Sequence, residues 1–301
     1  MPIARKVSAT SAASPAAHAT RFICDNLIVR DYCTHMPRPE TITSAANPLV
    51  KDVRRAIARG SLTSDGWCVA ETFHLLDEAL KSKCEVKIVL AAESVRADAT
   101  GHARAGVKVA VLPDSLFQTI SGTETAQGVM ALVKPPEWKL EQLFLGCPLL
   151  VVLDGLQDPG NAGAILRAAE AFGATGALFI KGTVSPHNPK TIRASAGSVF
   201  RVPCLAGMDA ALARAALQQN HVELYASVPA RAGVPERALD RVDFTRPCGL
   251  VIGNEARGVG SVLRGAAHDV SIPTVGVESL NAAVAAGILL YEARRQRTTR
   301  A

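Results

Sequence analysis

The chain alternates apolar runs with helical segments between residues 147 and 296, and this pattern constrains its fold more than any other feature. Residues 149–153 are a continuous apolar run, which is typical of a strand buried on both faces of a parallel sheet. Residues 161–172 have a helical period that stops at Gly173, and another apolar run follows at 177–180. Later strands are predicted at 223–227, 249–252 and 269–272, and a last helix over 279–292. This alternation predicts a parallel α/β sheet covered on both faces.

A smaller α/β domain is predicted over residues 39–134. Asn47 and Pro48 form a helix-start signal, an N-cap followed by proline at the first helical position, and Gly60 ends that helix. Its buried face is expected to carry Leu49, Val53, Ala56 and Ile57, and a separate basic arc to carry Lys51, Arg54, Arg55 and Arg59. A second helix is predicted over 72–81, with Phe73, Leu76 and Leu80 inward, and strands are predicted at 86–90, 107–112 and 128–133.

Composition divides the rest of the chain. Residues 1–38 are rich in Ala, Ser and Thr without a sustained period, so we expect a mobile N-terminal extension there. Pro135 and Pro136 interrupt the pattern, and we interpret residues 135–146 as a linker. Residues 147–301 then form the larger domain.

Charge and cysteine content narrow the classes of function. A net charge of +6 and a pI near 9.0 suit an anionic partner. The seven cysteines form no C-x-x-C pair, which disfavours a disulfide framework or structural zinc and favours reduced thiols in the cytoplasm. No apolar run approaches the roughly 18 residues that span a bilayer, and no N-terminal apolar segment typical of a secretory signal is present.

Three polar segments follow predicted strands, and the first covers residues 154–167. Arg167 lies nearly opposite the apolar stripe of Ile165, Ala168 and Phe172, so it is expected to face away from the core. An arginine beside the carboxyl end of a strand can hold a phosphate or polarise a hydroxyl. The plain alternative is a loop with Asn161 as helix N-cap and a solvated Arg167.

The second segment, residues 250–260, is a buried strand that ends in a glycine-rich turn bearing Glu255. Glycines allow a ligand to approach backbone N–H and C=O groups closely. The glycines at 253, 258 and 260 do not fit G-x-G-x-x-G, and no G-K-[ST] P-loop is present, which weighs against a Rossmann-type nucleotide site. The plain alternative is a strand that ends in an ordinary glycine turn.

The third segment, residues 271–281, precedes the last helix. Ser279 is a predicted N-cap, which places Asn281 in the first turn with its amide available to a ligand. The helix beyond is apolar nearly all round, as Val284, Ile288 and Leu289 show. Such a helix needs burial on more than one side, either in an ordinary core or against a second subunit.

The order and residues of these segments resemble the three motifs of SpoU-type RNA 2′-O-ribose methyltransferases, in the SPOUT superfamily. The matching residues are Asn161, Gly163 and Arg167 in the first motif, Gly253, Glu255 and Gly258 in the second, and Ile272, Pro273, Ser279, Leu280 and Asn281 in the third. Residues 185–203, with Lys190 and Arg193, and the opening Asn47-Pro48 are also similar to that family. The resemblance covers about residues 41–296, and it departs at Glu71-Thr72, where relatives usually carry Glu-Gly.

The resemblance implies a C-terminal parallel-sheet domain threaded into a deep trefoil knot, a rare exception to unknotted folds, and a smaller N-terminal α/β domain that binds RNA. It implies S-adenosylmethionine as cofactor, bound in the knot. The residues expected to hold it are Ser227, Gly253, Ile272, Leu280 and Asn281. Family members are dimers with sites near the subunit interface, so a homodimer is expected through the last helix.

The implied reaction is methyl transfer from a sulfonium to a ribose 2′-hydroxyl, in rRNA first and tRNA second, without a metal. The expected catalytic residues are Asn161, Arg167, Glu255, Ser279 and Asn281. By resemblance Arg167 assists deprotonation of the hydroxyl and binds the adjacent phosphate. The high pKa of an arginine makes it a poor base, which favours a phosphate-assisted role. The expected RNA contacts are Lys51, Arg54, Arg55, Arg59, Lys190 and Arg193.

Two other interpretations stay open at this point. An RNA-binding protein could retain the SPOUT fold without activity, although all the polar motif residues are present. A generic α/β nucleotide-binding protein lacks its phosphate motif in this sequence. An assay for transfer of a labelled methyl group from S-adenosylmethionine to RNA distinguishes an inactive RNA-binding protein from an active enzyme.

Overall fold

The computed structural model describes residues 40–103, 106–123, 125–229 and 237–299, in which two sheets are present. The predicted N-terminal extension, residues 1–38, lies outside the described residues. Both sheets belong to one compact unit, and a shared apolar cluster reaches from one sheet to the other. The predicted α/β class is therefore confirmed.

The N-terminal lobe, residues 40–133, is built on a five-stranded sheet of order β1-β4-β3-β5-β2, where β5 is antiparallel to β2 and β3. Its elements are β1 Glu40–Thr41, α1 Pro48–Arg59, β2 Cys68–Glu71, α2 Phe73–Lys81, β3 Val86–Ala92, α3 Arg96–His102, β4 Lys108–Leu112, α4 Asp114–Gln118 and β5 Val129–Val133. The strand β2 has no counterpart among the predicted elements, because four residues are too few to show a period.

Helix α1 begins and ends where the sequence predicts. The side chain of Asn47 accepts a hydrogen bond from the backbone N–H of Leu49 at 2.9 Å, and Gly60 closes the helix with a φ of 60°. The buried stripe is Val50, Val53 and Ala56. Leu49 and Ile57 flank this stripe, are half-buried and pack against the same apolar cluster, so the predicted inward face is confirmed.

The C-terminal lobe, residues 149–299, is built on a seven-stranded sheet of order β10-β12-β9-β11-β6-β7-β8, in which every pairing among the described residues is parallel. Its elements are β6 Leu149–Asp154, α5 Pro159–Ala171, β7 Gly176–Ile180, α6 Pro189–Ala194, β8 Cys204–Met208, α7 Ala210–Gln219, β9 Glu223–Val228, β10 Arg237–Ala238, β11 Cys248–Gly253, α8 Ser261–Arg264, β12 Ala267–Ser271 and α9 Ala282–Thr299.

Two helix starts differ from the prediction. Helix α5 is capped by Asp158, whose carboxylate accepts from the N–H of Asn161 at 2.6 Å, so Asn161 is inside the first turn and is not the N-cap. The cap of α9 is Asn281, whose Oδ1 accepts from the N–H groups of Ala283 and Val284 at 2.9 and 3.3 Å, and Ser279 precedes the helix. In both places several polar side chains near the helix start are suitable caps, and the conformation of the preceding loop decides which of them reaches the free N–H groups.

Charged side chains join the two lobes. The carboxylate of Glu71, buried at the end of β2, accepts from Nη1 of Arg193 on α6 at 3.0 Å. Arg201 donates to Glu78 of the N-terminal lobe at 2.6 Å and also pairs with Glu170 of α5. The hydrogen bond from Arg201 lowers the pKa of Glu170 below its ordinary value. These ion pairs hold α6 and the segment after it against the N-terminal lobe.

No helix in the described part of the chain is long and apolar enough to cross a membrane. The cysteines that the structure describes, Cys68, Cys84, Cys147, Cys204 and Cys248, are all free thiols.

Candidate active site

A cleft of about 430 Å³ opens at the carboxyl ends of β9, β11 and β12. It is lined by Ser227 and Val228 of β9, by Ile252, Gly253 and the loop 254–259 after β11, by Arg264 of α8, by Ile272, Thr274 and residues 278–281 after β12, and by Ala282 and Ala285 of α9. Parallel strands place ligands at this edge of an α/β sheet. Every residue that the sequence predicts for the cofactor, Ser227, Gly253, Ile272, Leu280 and Asn281, lines this cleft.

The loop after β11 folds back on itself at Gly253. A Cβ atom on Gly253 would lie 2.2 Å from the carbonyl carbon of Gly258 and 2.3 Å from the nitrogen of Val259. The turn is closed by backbone hydrogen bonds in both directions between Asn254 and Gly258, at 3.0 and 2.8 Å. Gly253 is therefore required by the loop itself, so a side chain there would distort the cleft wall before it met any ligand.

Asn281, Asn161 and Glu255 form a chain of hydrogen bonds beside the cleft. Nδ2 of Asn281 donates to Oδ1 of Asn161 at 3.0 Å, and Nδ2 of Asn161 donates to Oε1 of Glu255 at 3.3 Å. The three residues come from the three motif segments, so the fold brings together side chains that lie far apart in the sequence. Each amide uses its oxygen and its nitrogen in this chain or in a helix cap, which fixes the orientation of both amides.

Arg167 is exposed on α5, as the sequence predicts, six residues beyond Asn161. Six helical residues correspond to about 9 Å along the axis. Among the described residues, none forms a hydrogen bond or ion pair with Arg167. Its guanidinium is therefore available to an anion beside α5, outside the lining of the cleft. Ser279 lines the cleft and is exposed in the loop before α9.

The motif residue Gly163 serves packing between helices. A Cβ atom there would lie 2.4 Å from the carbonyl oxygen of Thr191 and 2.5 Å from the Cβ of Ala194, both on α6. Glycine allows α5 and α6 to approach this closely. Because α5 carries Asn161 and Arg167, Gly163 fixes the position of the helix that presents them.

The six basic residues predicted to contact RNA differ in what they already contact. Arg54 donates to Oγ1 of Thr119 at 2.7 Å, Arg55 lies 3.9 Å from Asp52, and Arg193 is held by Glu71. Lys51, Arg59 and Lys190 are exposed and have no ion-pair partner within the described ranges. Gly60, next to Arg59, packs against the side chain of Asn188 near Lys190, so these two cations lie at the junction of the lobes.

Other polar residues at the cleft were not singled out from the sequence. They are Asn254, Arg257, Arg264, Thr274 and Glu278. Asn254 and Arg257 lie inside the second polar segment, on either side of Glu255, and neither matches a motif position of the family. Arg264 and Glu278 carry no sequence signal beyond their charge, and Arg264 also pairs with Asp269 at 2.5 Å.

Comparisons with protein families match both lobes. The SpoU rRNA Methylase family matches residues 148–291, and the MRM3-like substrate binding domain matches residues 47–131. A 23S rRNA (guanosine(2553)-2′-O)-methyltransferase of Bacillus subtilis is 31% identical over 255 residues, which covers 84% of this chain and 98% of the relative. A 23S rRNA (guanosine-2′-O-)-methyltransferase of Ralstonia nicotianae is 36% identical over 201 residues, 64% of this chain and 79% of the relative.

Solved structures agree with these matches. The AdoMet-bound rRNA methyltransferase of Sinorhizobium meliloti superposes with a TM-score of 0.73 at 28% identity, over 86% of this chain and 98% of that chain. The SpoU methyltransferase AviRb of Streptomyces viridochromogenes has a TM-score of 0.73 at 25% identity, over 83% of this chain and 97% of that chain. Both lobes are therefore part of the similarity.

Proposed function

Because the chain belongs to the SpoU rRNA methylase family, we propose that it transfers the methyl group of S-adenosylmethionine to a ribose 2′-hydroxyl of rRNA. RNA methylation is the activity that family membership carries, and the ribose hydroxyl and the preference for rRNA over tRNA are the finer parts of the proposal. The observation that carries it is the hydrogen-bonded chain Asn281–Asn161–Glu255 beside a cleft at the carboxyl edge of the sheet.

The cleft fits the proposed cofactor. A volume of about 430 Å³ is in the usual range for small-molecule sites, roughly 300–1,000 Å³. The wall at Gly253 offers backbone only, and Ser227, Ile272, Leu280 and Asn281 complete the proposed binding residues. Glu255 and Glu278 bring carboxylates to a cleft whose ligand carries a sulfonium cation and an ammonium group. When bound, S-adenosylmethionine supplies an electrophilic methyl carbon on a good leaving group.

The residues of the chain then have two tasks in our proposal, alignment and help with the proton. The bound cofactor would supply the methyl group and depart as a neutral thioether, and the ribose hydroxyl would pass its proton to the neighbouring phosphate or to water. Arg167, exposed and unpaired in the described structure, binds the phosphate next to the target ribose and stabilises the developing alkoxide. Asn161, Glu255, Ser279 and Asn281 orient the ribose and the side chains around it.

The N-terminal lobe is proposed to bind the RNA. Residues 39–134 form the RNA-binding domain of the proposal, 135–146 the linker and 147–301 the methyltransferase domain. Lys51 and Arg59 of this lobe, with Lys190 of the C-terminal lobe at the junction, are the strongest candidates for phosphate contacts, because Arg54, Arg55 and Arg193 already have partners in the protein. Changing all three to alanine is expected to weaken RNA binding and to reduce its dependence on salt concentration. If the RNA affinity of this triple variant and its dependence on salt concentration are unchanged, the three residues belong to an ordinary solvated surface.

Three further parts of the proposal concern architecture and compartment. A trefoil knot is proposed around the cleft, where β11 is inserted between β6 and β9 of the sheet. A homodimer is proposed through α9, which exposes Val284 and Tyr291. A cytoplasmic location is proposed because the described cysteines are free and rRNA is the expected substrate.

The test is methyl transfer to RNA that lacks the modification. Purified protein, tritiated S-adenosylmethionine and rRNA or tRNA from a strain without this gene are incubated, and label in each RNA is counted. Label in nucleotides whose 3′ phosphodiester resists alkali supports the 2′-O position, because a methylated 2′-oxygen cannot attack that phosphate. Label on the base of a nucleoside, and not on its ribose, overturns the ribose assignment. Label found only in tRNA overturns the rRNA assignment. Absence of transfer with intact RNA binding supports an inactive RNA-binding protein instead.

A further inference from the structure

Asn254 follows the last residue of β11 and connects the loop after β11 to the loop after β6. Its Nδ2 donates to the carbonyl of Gly155 at 2.9 Å. Its Oδ1 accepts from the backbone N–H groups of Ala256 and Arg257, each at 3.0 Å. Exchanging the amide oxygen and nitrogen would place donors against donors and an acceptor against an acceptor, so these partners fix the orientation of the amide.

The loop that receives this bond is itself rigidly held. Nε2 of Gln157 donates to the carbonyls of Gly155 and Gly182 at 2.9 and 2.6 Å. The N–H of Gly155 donates to Oγ1 of Thr183 at 2.9 Å, and Thr183 donates in turn to the carbonyl of Leu153 at 2.9 Å. Asn254 therefore ties the loop after β11 to a fixed point in the loop after β6.

Glu255 is the next residue, and its contact with Asn161 is sensitive to the position of this loop. The distance from Nδ2 of Asn161 to Oε1 of Glu255 is 3.3 Å, just beyond the usual range for a hydrogen bond of this kind. A small outward movement of the loop would break that contact. The nearby bond from the N–H of Gly260 to Asp154, at 2.7 Å, holds the far end of the loop. At the Glu255 end, the backbone bonds between Asn254 and Gly258 close the turn, and the side chain of Asn254 is what ties that turn to the loop after β6.

From these contacts we infer that Asn254 is a positioning residue, which holds Glu255 against Asn161 through its bond to the carbonyl of Gly155. This inference rests on the proposed function, since Glu255 is assigned to the reaction there. Asn254 touches neither the ribose nor the methyl group in this proposal. It acts on the reaction only through the carboxylate of Glu255.

The variant Asn254→Asp isolates this role. Aspartate keeps an oxygen for the N–H groups of Ala256 and Arg257, so the turn is retained, and it removes the donor to Gly155. We expect a single-turnover rate at saturating RNA and cofactor about tenfold lower, the scale of one lost hydrogen bond. The cofactor dissociation constant, measured by calorimetry, is expected not to rise, because the new carboxylate lies in the lining of a cleft for a ligand with cationic groups. The melting temperature is expected to fall by no more than a few degrees, the scale of one lost hydrogen bond.

A double-mutant cycle tests whether Asn254 acts through Glu255. The rates of Asn254→Asp, Glu255→Ala and the double variant are compared with wild type. Alanine removes the oxygen that accepts from Asn161, so if Asn254 positions Glu255, the change at Asn254 has little further effect once Glu255→Ala is present. Rate losses that multiply independently would overturn the inference, as would a wild-type rate in Asn254→Asp. A cofactor affinity that falls as much as the rate would also overturn it, because Asn254 would then support the cleft wall.

The matched control is Asn220→Asp. Nδ2 of Asn220 also donates to a backbone carbonyl, that of Ala216 at 2.9 Å, and the change adds the same charge. Asn220 lies at the end of α7, just before β9 begins, at the opposite edge of the sheet from the cleft. Its variant is expected to keep the wild-type rate. Methylation by the wild-type protein is measured before any variant is compared. Its failure to methylate any RNA would contradict the proposed function itself.

Discussion

Asn281 donates a hydrogen bond to Asn161 at 3.0 Å across a separation of 120 residues, while its own Oδ1 caps the last helix. One side chain thus joins the start of α9 to the start of α5. The cap fixes the position of Asn281, and Asn281 in turn orients the amide of Asn161 toward Glu255. The same residue has a structural contact and a contact to the proposed catalytic chain, and the two can be separated by substitution.

Asn281→Asp is expected to keep the cap and lose the link to Asn161. Aspartate is as good an N-cap as asparagine, but it cannot donate to Oδ1 of Asn161. We expect an unchanged midpoint of urea unfolding and a single-turnover rate lowered about tenfold. Asn281→Ala removes both contacts and is expected to lose an additional 0.5–2 kcal/mol of stability, roughly the value of a helix cap. A wild-type rate in the aspartate variant would remove Asn281 from the proposed site.

Arg167→Ala is expected to lower the single-turnover rate by about 10²- to 10⁴-fold, the range for lost assistance to proton transfer. Because Arg167 is exposed and outside the cleft lining, cofactor affinity and stability are expected to remain unchanged. Single-turnover kinetics at saturating RNA separate the chemical step from binding. Arg214→Ala, an exposed arginine on α7, is the control and should keep the wild-type rate. If both variants behave alike, Arg167 is an ordinary surface residue.

A homodimer is expected to depend on the exposed apolar side chains of α9. Val284 and Tyr291 are 50% and 56% exposed, and an apolar helix surface of this kind suits a second copy of the chain. Light scattering at micromolar concentration should give twice the chain mass for wild type and one chain mass for Val284→Asp/Tyr291→Asp. Leu212→Asp, at a position 67% exposed on α7, should remain dimeric. A monomeric wild-type protein would contradict the proposal.

Gly163→Ala is expected to destabilise the protein by about 1–3 kcal/mol, the usual range for overpacking. The new methyl group would lie 2.4 Å from the carbonyl oxygen of Thr191 on α6. A backbone atom cannot move away from this contact by a change of rotamer, as a flexible side chain could. Gly101→Ala is the matched control, because this helical glycine has no atom within 4 Å of the added Cβ. That variant should be stabilised by up to about 1 kcal/mol. Urea unfolding of the two variants gives opposite signs if the packing argument is correct.

Thr72→Gly is expected to stabilise the protein by about 1 kcal/mol. Thr72 has φ and ψ of 135° and 155°, a region that essentially only glycine occupies without strain, and the family resemblance places glycine there. Its hydroxyl caps α2 by accepting from Leu75 at 3.2 Å, a contact whose replacement by glycine costs only a few tenths of a kcal/mol. Thr72→Ala keeps the strain and loses the cap, so thermal unfolding should rank glycine above threonine and threonine above alanine.

Local signals in the sequence determined the class of fold and the identity of the polar segments. The cap at Asn47, the stop at Gly60, the apolar run of β6 and the outward position of Arg167 each depend on residues within one or two turns of chain, and all of these agree with the structure. Such features can be predicted without knowledge of the rest of the chain, because helix periodicity and capping are short-range effects.

The tertiary structure alone decided which of these residues meet. The insertion of β11 between β6 and β9 brings Glu255 and Asn254 to the loop after β6, and the return of the chain into α9 brings Asn281 to Asn161. It also pairs Arg193, one of the expected RNA contacts, with the buried carboxylate of Glu71. Strand order and inter-lobe pairing depend on the burial of many side chains at once, so no local window of the sequence contains them.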